Sequence, residues 1–336
     1  MTKESPTVSL TITSYNYGDY IGHTIESILQ QTFTDFEIVI IDDASPDNSV
    51  EVIKKYADQD DRIRLYVNEQ NKGFAQNLKD VTDAVRGKYM VHMDSDDWIK
   101  SPTALERQVA LLDANPDVVF VYSTIAEYDN KGNQLMNMVS FPSDAIMPGV
   151  VAVEKAMTFY IGHSGPMFRR EAFRQIGGYN LKYQYVLDLQ LWFDLCALGK
   201  VGYICENLYA YRQHKESMKA TVKQRQLMVE ILQAVDTVFE GPLAAQMQNP
   251  AALKRHVYSH ALTAIPMSLV FGNRYKLSWA IMWESIKLRP QEALINKRTA
   301  IIGARTLLRS RVYEKLQRLF LLSSVSLGIM MLAWEL

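Results

Sequence analysis

Two cysteines, Cys196 and Cys205, in 336 residues cannot build a disulfide framework. Both read as buried apolar filler in a protein of a reducing compartment. Surplus charge is lacking as well: the formal net charge is -1, which gives no global signal for nucleic acid. The polar start, Met1 to Pro6, has no signal-peptide pattern, so a cytosolic catalytic face is expected. Glycine is sparse where nucleotide folds often concentrate it. The first turn, Ser14 to Asp19, holds the single glycine Gly18. This excludes the Gly-x-Gly-x-x-Gly dinucleotide fingerprint, and no Gly-x-x-x-x-Gly-Lys-Ser/Thr phosphate loop is present. A nucleotide bound here would be held by side chains and a metal.

What is present is a globular composition, 48% hydrophobic and 22% charged, long enough for one large or two medium domains. Val8–Thr13, Glu37–Ile41, Ile63–Val67 and Tyr89–Met93 are short apolar runs that read as buried strands. Helical patterns lie between them: Tyr20–Gln31 with Asp19 as N-cap, Pro46–Tyr56, and Phe74–Val85. Strands alternating with helices predict an α/β fold with a doubly wound, mainly parallel sheet. Further elements are expected at Ser101–Ala114 (helix, Ser101 as N-cap), Val118–Tyr122, Gly165–Arg169, Asp188–Leu198 (helix) and Val201–Ile204. Asp129–Asn133 and Gly177–Tyr179 read as turns, and Phe141–Gly149 as an irregular loop. After about Thr221 long helical patterns dominate, which sets domains of 1–220 and 221–336, the second a helical C-terminal extension.

The strand Tyr89–Met93 runs directly into Asp94-Ser95-Asp96-Asp97. Carboxylates crowded at the end of a buried strand repel one another. A divalent cation relieves this, and hard oxygen ligands suit Mg²⁺ or Mn²⁺. Ligands of open α/β sheets bind outside the carboxyl ends of the strands, where this cluster falls.

At the other end of the chain, Lys297–Arg318 is basic and leads into Leu319–Trp334, 16 residues without a charge. As a helix that run would extend roughly 24 Å, short of the ~30 Å hydrocarbon core. It reads as an interfacial anchor on an anionic membrane surface, as a helix packed on the domain, or as an oligomer contact.

Thr13-Ser14-Tyr15-Asn16, Asp42-Asp43-Ala44-Ser45, Asn71-x-Gly73 with Asn77, and Asp94-Ser95-Asp96-Asp97 occur in this order. With them the chain resembles the family 2 glycosyltransferases, inverting enzymes of the GT-A fold. Gly177-Gly178-Tyr179, Asp188 before Leu191-Trp192, and Tyr211-Arg212-x-His214-x-x-Ser217 look like the acceptor-side motifs of that family. The resemblance covers roughly residues 7 to 220.

It implies sugar transfer from a nucleotide diphosphate, most commonly a UDP-sugar, to a glycan or lipid-linked acceptor. Envelope polysaccharide synthesis at the cytoplasmic membrane face is the expected setting. By resemblance Asp96 is the direct ligand of Mn²⁺ or Mg²⁺, and Asp94 meets the ribose or the metal. His214 reaches the metal or the diphosphate, and Arg212 clamps the diphosphate beside it. Thr13, Tyr15 and Asp43 hold the nucleoside, Tyr15 by stacking and Asp43 by accepting an imide N–H. Asn16, Asp42, Asn71, Lys72, Asn77 and Ser95 complete the nucleotide-sugar site. Asp42 and Asp43 also read as helix N-terminal caps before Pro46, one capping while the other binds, and Asn71 as a turn residue. Asp188 is the general base that takes the acceptor proton, or an N-cap of the following helix. Leu187 stands where the family usually has Glu, and Lys219 where it often has a small hydroxyl residue.

Two other classes compete. A nucleotidyltransferase of related fold would need a basic, glycine-rich loop after the first strand, and Ser14–Asp19 holds no Lys or Arg. A non-catalytic sugar-nucleotide-binding partner would have no use for both the metal carboxylates and Asp188.

Overall fold

A computed structural model describes residues 5–156, 161–214, 224–255 and 257. In the first half, strands and helices alternate as β1 (Val8–Ser14), α1 (Ile21–Leu29), β2 (Phe36–Asp42), α2 (Ser49–Ala57), β3 (Ile63–Val67), α3 (Phe74–Asp83) and β4 (Tyr89–Asp94). The four strands are parallel in the order β3-β2-β1-β4. Helices on both faces favour apolar residues in such strands, and every residue of β2 is buried. Two of them are acidic: Asp42 at the carboxyl end, and Glu37, 2% exposed, at the amino end. The Glu37 carboxylate accepts from Arg64 Nη1 (2.9 Å), Arg86 Nε (2.9 Å) and Ser9 Oγ (2.7 Å), so the charge is matched and bonded.

The second half adds β5 (Trp98–Ile99), α4 (Ala104–Ala114), β6 (Val118–Asp129), β7 (Gln134–Met138), β8 (Ala145–Pro148), α5 (Gly149–Ala156), β9 (Met167–Arg169), α6 (Arg170–Gln175), α7 (Leu187–Cys196) and β10 (Lys200–Gln213). The sheet continues from β4 through β9, β6 and β10 to β5, with β7 on β6 and β8 on β10. β9 runs antiparallel to both β4 and β6, and β10 runs parallel to β6. The doubly wound, mainly parallel sheet is as expected, with reversed strands confined to this half.

Several boundaries differ from the sequence reading. The fourth helix does not start on Ser101-Pro102. The Ser101 and Pro102 carbonyls instead accept from Gln31 Nε2 and Thr32 N at the end of α1, which holds this segment in a turn until Ala104. Asp19 is no N-cap: α1 starts at Ile21 without a side-chain cap bond. Phe141–Gly149 is not wholly irregular, because β8 pairs with Lys200–Tyr203. The short strand expected at Val201–Ile204 is 14 residues long, carried past polar Glu206 and Asn207 by register shifts.

The chain divides into two compact units, 1–222 with 236–250 and 223–235 with 251–336. α8 (Gln224–Glu240) carries the helical pattern of Leu227, Ile231, Val235 and Val238. The rest of the helical pattern expected after Thr221 falls largely outside the described residues, and the 297–334 tail wholly so. Among the described residues, no helix is long and apolar enough to cross a membrane.

Candidate active site

The carboxyl ends of β1 and β2 turn through left-handed residues, Asn16 (φ 62°) and Ala44 (φ 60°). The two turns are sewn together: Asn16 N donates to Ser45 Oγ, and Gly18 N to Asp47 Oδ2, both at 3.0 Å. A Cβ on Gly18 would overlap the Asn48 side chain, so the lone glycine of this turn leaves room for that side chain. Tyr15 is left 43% exposed on the outer rim.

The two neighbouring aspartates part ways here. Asp42 is fully buried and accepts from Ser14 Oγ (3.0 Å), Ser45 N (2.8 Å) and Ser45 Oγ (2.7 Å). It shapes the turn from within. Asp43 faces the loop after β3 and accepts from Asn68 Nδ2 (2.9 Å), Lys72 N (2.8 Å) and Gly73 N (2.9 Å). Burial works against its charge, but these donors outweigh burial and hold its carboxyl below the usual range. Asn77 is buried, bonded to Gly73 O and Asn68 Nδ2, and so also braces this loop rather than facing a ligand. The Lys72 ammonium lies 3.1 Å from Asp80, and Asn71 is exposed on the loop.

After β4, Asp97 N donates to Asp94 O (3.2 Å), closing a turn that sends three carboxylates in different directions. Asp94 is still a strand residue and shares a face with His92. Its Oδ1 lies 3.0 Å from His163 Nδ1 and 3.5 Å from His92 Nε2. Burial raises its carboxyl, but the two imidazoles outweigh that and hold it well below the usual range. Asp96, 7% exposed, lies 2.7 Å from His214 Nε2, and burial and the Asp94 charge push its carboxyl up. Asp97 is buried, bonded to Ser164 Oγ and Arg212 N, and burial with the charges of Asp96 and Asp94 pushes it well above the usual range. Ser95 Oγ donates to Thr13 O (2.6 Å), which ties this turn to β1.

The expected metal trio is thereby divided: Asp96 meets His214, whereas Asp94 faces a different pair. Among the described residues, His92, Asp94 and His163 are the group whose ligand atoms gather within 4.8 Å. Arg212 is near the turn, but its guanidinium is committed to it. Nε donates to Asp96 O (3.0 Å), and the group lies over the Trp98 (4.8 Å) and Tyr20 (5.2 Å) rings. These contacts brace the carboxylate turn. Ser217 and Lys219 lie outside the described residues.

His163 was not anticipated from the sequence. It precedes β9, in a segment pinned by Gly165 N to His92 O (3.0 Å) and by Asp94 N to Ser164 Oγ (2.9 Å). Gly165 has φ 103° and lies flat against the Tyr209 ring, where any Cβ would collide. The one available signal was a lone histidine between two glycines. Burial lowers the His163 imidazole, but the charges of Asp94 and Asp188 outweigh burial and raise it. Asp188 sits in the first turn of α7, after the Gly177-Gly178 turn and buried Tyr179. Burial pushes its carboxyl up, partly offset by His163. A carboxylate raised in this way is a better proton acceptor near neutral pH.

Residues 9–177 match the model of Glycosyl transferase family 2. Chondroitin synthase of Escherichia coli is 28% identical over 215 residues, 64% of this chain but only 30% of that protein's length. The crystal structure of S. aureus TarS 1-349 in complex with UDP-GlcNAc superposes with a TM-score of 0.58 at 13% identity, covering 88% of this chain and 90% of that one. Mannosyltransferase PcManGT from Pyrobaculum calidifontis, in complex with GDP-Man and Mn²⁺, gives 0.57 at 16% identity, covering 95% and 88%. These likenesses identify a GT-A-like doubly wound fold. With the family model covering half of its length, the chain belongs to glycosyl transferase family 2.

Proposed function

We propose that this chain transfers a sugar from a nucleotide-diphosphate donor to a hydroxyl of a glycan or lipid-linked acceptor, with inversion by a single displacement. The observation that carries this is the meeting of Asp96 with His214 at the end of β4, close to an Asp94–His163 pair that interacts with Asp188. Tyr15 and Asp43, on the neighbouring strand ends, supply the nucleoside side. Thr13, Asn16, Asn71 and Lys72 line that side less directly. Residues 1–220 form the catalytic domain and 221–336 the helical region.

The donor set at Asp96 fits a divalent cation. The carboxylate is buried, crowded by Asp94, and paired with an imidazole whose Nδ1 has no partner. Asp96 and His214 would hold Mn²⁺ or Mg²⁺, with Asp94 beside them. Such an ion neutralises charge on the departing diphosphate. Asp188 accepts the proton of the acceptor hydroxyl as that oxygen attacks, and the His163 charge offsets part of the repulsion between Asp188 and Asp94. The support for a nucleotide-sugar donor is family membership, together with fold neighbours crystallised with UDP-GlcNAc and GDP-Man. UDP-sugars are the first to test.

Incubation with a panel of UDP-sugars, with and without Mn²⁺, should release UDP in a metal-dependent way. Absence of any nucleotide-diphosphate binding under either condition would sink this reading. The basic and apolar tail would hold the enzyme at an anionic cytoplasmic leaflet near a lipid-linked acceptor. Full-length chain that stays in the supernatant with phosphatidylglycerol vesicles at low salt would remove that part alone.

A further inference from the structure

His92 is 1% exposed, yet its Nε2 has no hydrogen-bond partner. Its other nitrogen, Nδ1, lies 3.0 Å from Thr11 Oγ1. That contact fixes the ring, so Nε2 points at Asp94. His163 Nε2 is also buried without a partner. Burying such atoms without a hydrogen bond is costly. The Asp94–His163 pair accounts for His163 Nδ1, whereas His92 Nε2 meets only Asp94, at a long 3.5 Å.

We propose that His92, Asp94 and His163 form a second metal centre, separate from the Asp96–His214 pair and selective for Zn²⁺ or a similar borderline ion. The ligand types decide the class. Two imidazoles and one carboxylate match the three-ligand zinc sites, whereas Mg²⁺ and Mn²⁺ prefer oxygen-rich shells. The spacing agrees. With metal–ligand bonds of about 2.0–2.1 Å, the edges of a tetrahedron are roughly 3.3 Å. Asp94 Oδ1 lies 3.0 Å from His163 Nδ1 and 3.5 Å from His92 Nε2. All three ligand atoms fall within 4.8 Å of one another, so a small rotation of either ring closes the site. The Thr11–His92 contact is the outer-shell bond that orients a ligating histidine.

The consequence is regulatory. An ion here would take up Asp94 and draw it toward β9, away from a donor. Occupancy would therefore oppose donor binding rather than support it.

The test uses the full chain freed of metal. Zn²⁺ titration by calorimetry and Co²⁺ titration by visible absorption are run on four proteins: wild type, Asp96→Asn, His163→Ala and His92→Gln. Wild type and Asp96→Asn should each bind one Zn²⁺ with similar affinity, and Co²⁺ should show the intense bands of a tetrahedral ion. His163→Ala and His92→Gln should weaken Zn²⁺ by more than about 100-fold, beyond the effect of losing an outer-shell partner, and lose those bands. His92 is in the core, so its variant is first checked by melting. If it fails to fold, His163→Ala decides, since His163 lies outside the strands. Zn²⁺ affinity lost in Asp96→Asn but kept in His163→Ala would overturn the proposal, as would a wild-type chain without tetrahedral Co²⁺ bands.

Discussion

His214 Nε2 lies 2.7 Å from Asp96 Oδ2, although 118 residues separate the two in the chain. The long strand β10 makes this contact by running the length of β6 and delivering its carboxyl end to the turn after β4. Asp96→Ala should therefore abolish Mn²⁺-dependent UDP binding. Removing a buried, crowded carboxylate should leave the melting temperature unchanged or slightly higher. Calorimetry of UDP with and without Mn²⁺ checks this. Unchanged metal-dependent affinity would move the donor metal elsewhere.

Asp188→Asn keeps the shape of the side chain but cannot take a proton. The turnover number should fall ~10²–10⁴-fold, as for loss of a general base. Under the proposed role, in which Asp188 serves the acceptor, donor affinity should stay near wild type. Steady-state kinetics paired with donor titration separate the two effects, and a wild-type transfer rate would end the assignment.

Glu37→Gln removes a charge that Arg64 and Arg86 share at the amino end of the sheet. Both arginines are partly solvated, so the cost should be about 1–3 kcal/mol, below that of a wholly buried pair. The pH dependence has a definite sign. Burial raises the Glu37 carboxyl, but its hydrogen bonds outweigh burial and lower it from 4.5. Its stabilisation is thus complete above about pH 4.5 and fades as acid protonates it. Wild type and variant should differ in melting temperature at pH 7 and converge toward pH 3.

Gly165→Ala places a methyl group against the Tyr209 ring at a left-handed φ of 103°. The strain and the clash together should cost ~2 kcal/mol or more. Because Gly165 N is bonded to His92 O, the His163 and Ser164 contacts should shift as well. Thermal melting reads the first effect. The second would appear as loss of the His163–Asp94 coupling in histidine NMR titrations. A variant that matches wild type in both would show that this approach is loose.

The parallel strands were legible because each carries a short run rich in apolar, β-branched residues, such as Ile38–Ile41 of β2, set between helical patterns. The boundaries of β10 were not, since Glu206 and Asn207 interrupt it where the register shifts. β9 has three residues and no period to detect. In the site, Asp94, Asp96, His214 and Asp188 could be named from motif order, and Asp96 and His214 do meet. Which carboxylate serves the fold was hidden. Asp42 and Asp43 are adjacent and chemically identical, and the serines at 14 and 45 decide between them. His163 carried no pattern, because its place depends on a reversed strand crossing between β4 and β6.

The Glu37 cluster and the Asp43 cluster share one strand yet lie six residues apart, roughly 20 Å at strand rise. Perturbations at that separation, with no common partner, add independently. If Asp43 meets the donor, as proposed, residues at that end of β2 could be exchanged without retuning the cohesion held at the other. A destabilising change near the nucleotide is then open to repair by charge optimisation far from it. Directed evolution toward a new donor should find its compensating substitutions around Arg64 and Arg86 rather than within the binding loops.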